Sequence, residues 1–198
     1  HMSVEASRGS NNTRTGASIT LARAARNPQA VVIEVAISAL WMRNGGIGPR
    51  IKPHIVIVTE VGITQVGKNV TSLEDVARFK ARISQGLIPG GYAILNRDMA
   101  MYDRVAESVL RDGARIISYG FDAAADVRIT AFTPDAHGSQ ITLLFRNQTL
   151  RYRLAVPDKG GALNSVAALI AADLLGVSPE QSITRLEAWR GDGQHMGI

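Results

Sequence analysis

Ile55-Val-Ile-Val-Thr59, then SLEDVARFKARISQG at 72–86, then Tyr92-Ala-Ile-Leu95 after Pro89-Gly-Gly91 are the segments on which the architecture turns. The first and last are short, β-branched or aliphatic runs, the pattern of strands buried on both faces. Between them Ser72 is an N-cap candidate, Glu74 and Asp75 suit the positive end of a helix dipole, and Gly86 is a stop. Val76, Phe79 and Ile83 fall on one side of that helix. Strand, helix, strand at this spacing implies parallel strands joined by a crossover helix.

The pattern continues on both sides. Met101–Arg111 predicts a second crossover helix and Arg115–Tyr119 another strand. Upstream, Ala30-Val-Val-Ile-Glu-Val35 reads as a further strand buried on both faces. It follows a helix over Thr15–Arg26 that Asn27-Pro28 closes. Asn44-Gly-Gly-Ile-Gly-Pro49 reads as a glycine-rich turn. Downstream, Ala125–Phe132, Gln140–Phe145 and Leu150–Val156 alternate with period two, an antiparallel meander. Helices over Ala162–Leu175 and Pro179–Trp189 finish the chain. The expected fold class is α/β: a mostly parallel sheet with crossover helices plus a small late antiparallel sheet. Residues 1–14 read as a tag remnant (His1-Met2) followed by a polar loop or flexible arm, and 15–198 as one domain.

Composition narrows the function. The chain has 198 residues, no cysteine and 5% aromatic residues. Thiolate zinc sites and cysteine nucleophiles are therefore excluded, and a cytoplasmic protein is the expectation. No apolar run approaches the ~20 residues of a membrane helix, and no signal peptide opens the sequence. The net charge is +5, yet Arg8, Arg14, Arg23, Arg26, Arg43, Arg50 and Lys52 are spread thinly. That spread argues against a nucleic-acid partner and leaves a solvated surface or weak attraction of nucleotides.

Five segments, in order, resemble the central domain of the Mur ligase family, from about Thr15 to Trp189. They are Ala30–Leu40, Pro53–Thr59, Val76–Ile83, Pro89–Asp98 and Gly161–Ile170. Asn12–Gly48 is also similar to cyanophycin-synthetase-type members of the superfamily. The resemblance implies an ATP-dependent ligase that joins a carboxylate substrate to an amine through an acyl phosphate, with ATP and Mg²⁺ as cofactors. It implies Glu34 and a carbamylated Lys80 as Mg²⁺ holders, Lys80 also counting as catalytic, and Asn96, Asp98 and Asn164 bordering the nucleotide.

Each residue also has a plainer reading. Glu34 can be a strand-end carboxylate capping a helix, and Lys80 a lysine whose stem covers the apolar face. Asn96 and Asp98 can stabilise a turn. Asn164 can be a polar residue in the first turn of a helix.

The sequence departs from the family in three places. A glycine-rich phosphate loop ending Gly-Lys-Thr/Ser would precede residue 15 and is not in this sequence. Gly62-Ile-Thr-Gln-Val-Gly67-Lys68-Asn69 lacks the closing hydroxyl and follows the wrong strand. The family's metal-binding histidine falls near Gln65, and its His-Asn pair reads Gly160-Gly161. His54, His137 and His195 occupy neither position. The family's amino-acid domain would lie beyond Ile198. The expectation is a central-domain fragment, inactive alone; the alternative is a degenerate Mur-like module for binding or assembly.

Overall fold

The computed structural model describes residues 2–9, 11–41, 46–62 and 70–190. Its main sheet has six strands in the spatial order of the chain: β3 (Ile55–Val58), β4 (Tyr92–Asn96), β5 (Arg115–Gly120), β6 (Val127–Asp135), β7 (Gly138–Phe145) and β8 (Gln148–Leu154). β3 through β6 pair in parallel, and β6 through β8 in antiparallel fashion. The meander thus extends the parallel strands as one continuous sheet. A second, two-stranded parallel sheet joins β1 (Val4–Ala6) to β2 (Ala30–Val32).

Period-two alternation along the parallel strands feeds a core on each face. Val56, Val58, Ala93 and Leu95 point into one core with Val76, Ala77 and Ala81 of α4 (Leu73–Ala81) and Val105 and Val109 of α5 (Tyr102–Arg111). Ile94 and Tyr119 point the other way. They meet Ala162, Val166, Leu169 and Ile170 of α6 (Lys159–Leu174), with Ile183 and Leu186 of α7 (Pro179–Ala188) alongside. The buried Tyr152 hydroxyl lies 2.6 Å from Ser165 Oγ, pinning β8 to α6.

Local signals behave as the sequence predicts for α4. Ser72 Oγ accepts the Asp75 N–H at 3.1 Å, and a 3-10 turn over Arg82–Gly86 ends the helix. Gly86 is required there because a Cβ would lie 1.9 Å from the carbonyl oxygen of Gly48, in α3 (Gly48–Ile51). The helix α1 (Arg14–Arg23) continues as a 3-10 turn to Arg26, and Asn27 closes it in the left-handed region at φ 56°. A short α2 (Ile37–Leu40) follows β2.

Two expectations are corrected. The polar segment read as a loop or arm carries strand β1, because its backbone is paired to β2 in register from Val4 with Ala30 to Ala6 with Val32. The Ala30–Val35 run is not a strand buried on both faces. β2 stops at Val32 and lies in a sheet of only two strands, leaving Val31 and Val32 38% and 56% exposed. Burial from both sides needs elements packed on both faces; the six-stranded sheet has them, whereas among the described residues Val31 and Val32 of this pair stay uncovered. The expected glycine-rich turn ends in α3, and its residues 44 and 45 lie outside the described residues, as do Gln65, His195 and most of 62–69.

Two measurements test this packing. Gly86→Ala is expected to lower the unfolding free energy by about 1–3 kcal/mol, the usual cost of overpacking, in urea denaturation. Burial pushes the Tyr152 phenol up to about 12, partly offset by the Ser165 hydrogen bond. The folded state therefore keeps a proton that the unfolded state loses near 10. Stability should fall as pH rises from 10 towards 12, and Tyr152→Phe should flatten that part of the wild-type profile.

Candidate functional site at the carboxyl edge of the parallel strands

Register brings the carboxyl ends of β3, β4 and β5 level. Val58 pairs with Leu95, Leu95 with Ser118, and Asn96 with Tyr119. Open α/β sheets bind ligands at this edge. Side chains stitch it together. The buried Asn96 donates from Nδ2 to the Thr59 carbonyl at 2.8 Å, while its Oδ1 accepts the Asp98 N–H at 3.0 Å. Asp98 then accepts the N–H groups of Phe121 and Asp122, each at 2.8 Å. One chain of hydrogen bonds therefore runs from the end of β3 to the loop after β5.

Gly120 sits inside that arrangement. At φ 148° its backbone is in a region that suits glycine, and a Cβ there would stand 2.8 Å from the Asp98 carboxylate. The next turn is clamped by Asp126, which accepts the Ser118 N–H and hydroxyl at 2.8 and 2.6 Å. Arg97 stacks on Tyr102 at 4.8 Å and donates to Asp122 at 3.2 Å.

Lys80 reaches the same edge from the last turn of α4. Its half-buried ammonium donates to the Glu60 carbonyl, next in sequence to the Thr59 carbonyl held by Asn96. Burial lowers the Lys80 pKa, and the Glu60 carboxylate opposes that shift. Tyr119 lies beneath, fully buried, with no hydrogen-bond partner for its hydroxyl among the described residues. Burial first, then the Glu60 and Asp98 carboxylates, raise its pKa. At the start of α6, Asp158 caps the helix by accepting the Gly161 N–H at 2.6 Å, and Lys159 lies 4.3 Å from the centre of the Phe121 ring.

Of the residues the sequence singles out, Lys80, Asn96 and Asp98 are brought together through Thr59 and Glu60. Glu34 lies two residues beyond β2, beside the smaller sheet. Its exposed carboxylate accepts from Asn12 at 2.8 Å, and its N–H donates to Ser7 Oγ at 3.1 Å. That carboxylate bonds a residue just ahead of α1 and caps no helix. Asn164 is exposed on α6, beyond its first turn. Sequence reading missed Glu60, Tyr119 and Lys159. Glu60 follows a strand end and could have been found that way; Tyr119 needed the packing to be known.

Among the described residues no three His, Cys, Asp or Glu side chains converge. Mg²⁺ with a nucleotide needs only one or two carboxylates, since phosphate oxygens and water complete its shell. Glu34, with one oxygen engaged by Asn12, fits that demand. Lys80 fits as well, because lowering its pKa favours the neutral amine that carbamylation requires.

Two substitutions probe the edge. Asp98→Ala should speed exchange of the Phe121 and Asp122 amides by about tenfold, the worth of roughly one net hydrogen bond, in hydrogen–deuterium exchange. Tyr119→Phe should leave the thermal midpoint unchanged or raise it, because the hydroxyl it removes is buried without a partner.

Among the described residues, no helix is long and apolar enough to cross a membrane. The family model for the Mur ligase middle domain matches residues 1–172. The UDP-N-acetylmuramate–L-alanine ligase of Salinispora arenicola is 28% identical over 143 residues, covering 71% of this chain and 27% of that protein. The enzyme of the same name from Dictyoglomus turgidum is 27% identical, covering 72% and 30%. The chain thus spans less than a third of these relatives' length. MurF from Acinetobacter baumannii shares the fold with a TM-score of 0.86 at 22% identity, over 99% of this chain and 42% of that one. MurF from Thermotoga maritima, solved in complex with ADP, superposes with a TM-score of 0.75 at 18% identity, over 96% and 43%. The chain belongs to the Mur ligase middle-domain family.

Proposed function

We propose that this chain is the central, nucleotide-handling domain of an ATP-dependent ligase that joins a carboxylate to an amine. The reaction runs through an acyl phosphate: a carboxylate oxygen takes the γ-phosphoryl group of ATP, and the amine then displaces phosphate to leave an amide. The observation that carries this reading is Lys80, half-buried at the strand edge with its amine on the Glu60 carbonyl. We count β1 with the domain and assign 15–198 to its remainder.

Glu34 and a carbamylated Lys80 would hold Mg²⁺, which would supply charge neutralisation at the phosphates. Carbamylation consumes one CO₂: the neutral Lys80 amine forms an N–C bond, and the released proton leaves to solvent. Asn96 and Asp98 border the nucleotide by fixing the backbone of the edge, since both ends of the Asn96 amide and both Asp98 oxygens already face the protein. Asn164, exposed on α6, is the contact offered from the other side. Alone, the chain is inactive: it carries no glycine-rich phosphate loop among its own 198 residues.

A second reading, a non-catalytic Mur-like module for binding or assembly, is favoured by Gly160-Gly161 where the family carries His-Asn. An Mg-ATP titration of the protein extended in both directions separates the two. Heat and a rise in thermal midpoint support the ligase; neither supports the module. ¹³C-bicarbonate NMR adds a direct check, with a carbamate resonance expected for the extended protein and lost in Lys80→Arg. ATP-dependent phosphate release by this chain alone would contradict its predicted inactivity.

A further inference from the structure

The opposite end of the sheet holds a separate concave site. The 3-10 turn Arg82–Gly86 and the end of α5 at Arg111–Asp112 lie where β4 and β5 begin, away from Asn96 and Gly120. Between them runs a groove of about 340 Å³ lined by Arg78, Phe79, Ala81, Arg82, Gln85, Ser108, Arg111 and Asp112. Three guanidiniums and one carboxylate share it.

Most of these groups are already engaged within the fold. Arg78 pairs with Asp75 of its own helix at 2.7 Å, its side chain 66% exposed. Arg82 donates to the Trp41 carbonyl at 3.4 Å. Asp112 accepts the Ser84 hydroxyl at 2.6 Å. Arg111 is exposed and makes no ion pair among the described residues. Arg78 and Arg82 both lie against the Phe79 ring, at 5.1 and 5.6 Å from its centre. Helix dipoles favour one basic residue at each helix end. They do not account for three, from two elements, facing one concavity around an aromatic wall.

We infer that this groove is an anion site for the phosphate group of a small molecule. Planar guanidiniums bind phosphate oxygens in bidentate fashion, and the Phe79 ring offers an apolar wall to the rest of the ligand; the Ser108 hydroxyl on the rim is already given to the Arg104 carbonyl at 3.0 Å. The volume lies within the range of small-molecule sites. Asp112 and Asp75 leave the groove with a net positive charge, so a dianion relieves the repulsion among the arginines. The site is independent of the ligase reading.

Inorganic pyrophosphate is the probe, titrated calorimetrically at low ionic strength with ¹H–¹⁵N mapping of the same chain. Saturable binding is expected, with shifts at the amides of Arg82, Gln85, Ser108 and Asp112. Arg111→Gln, an exposed change on the last turn of α5, should weaken binding about tenfold, and Arg111→Lys less, because it keeps the charge but loses the fork. Three results would overturn the inference: no saturable binding at millimolar pyrophosphate, unchanged affinity in Arg111→Gln, or shifts gathered instead on Asn96–Asp98 and Lys159–Gly161. Failure of Mg-ATP binding by the extended protein would leave these readouts untouched.

Discussion

The buried Asn96 amide is the hinge-pin of the strand edge. It sits 1% exposed at the end of β4, where the ladder to β3 stops at Leu95 and the ladder to β5 stops at Asn96 itself. A parallel sheet that stops leaves carbonyls and N–H groups open at its carboxyl end, and buried ones must be paired. Asn96 pairs the Thr59 carbonyl on one side and the Asp98 N–H on the other, and Asp98 carries the pairing on to Phe121 and Asp122. The Glu60 carbonyl that receives Lys80 is next in sequence to the one Asn96 holds. The position of Lys80's partner thus depends on that amide.

This arrangement explains how six residues suffice between β5 and β6. A parallel connection usually needs a dozen or more residues and a crossover element. Here only Tyr119–Val127 and Gly120–Arg128 pair in parallel before β6 turns to β7. Asp98 gathers the first half of the connection and Asp126, bonded back to Ser118, closes the second. Gly120 supplies the backbone conformation and leaves room for the Asp98 carboxylate.

The same physics decides what could be read from the sequence. α4 was legible because cap, dipole and apolar stripe agree within one segment, and β4 because its apolar run is buried on both faces. β2 misled, since Ala30–Val32 has the composition of a buried strand but pairs only with β1. Composition records that residues can be buried, whereas the partner that buries them is non-local. Among candidate site residues, Lys80, Asn96 and Asp98 are visible through the resemblance, and the turn reading of Asn96 and Asp98 is the one their hydrogen bonds display. Tyr119 was hidden because its role depends on what covers its hydroxyl, and Lys159 because only the fold brings it over Phe121.

The two proposed Mg²⁺ holders, Glu34 and Lys80, belong to different parts of the fold. Lys80 is fixed by the six-stranded sheet through Glu60, whereas Glu34 is fixed by Asn12 and Ser7 beside the two-stranded one. Trp41, just after α2, meets the Phe79 ring of α4 edge-on at 6.3 Å, and α3 packs against the 3-10 turn after α4, where Gly48 and Gly86 meet backbone to backbone. A shared Mg²⁺ would therefore read the spacing of that contact. Two small residues at the contact let the backbones touch, and touching backbones define a distance more narrowly than flexible side chains do. The glycine pair thus helps to set the geometry on which the two proposed Mg²⁺ holders would depend.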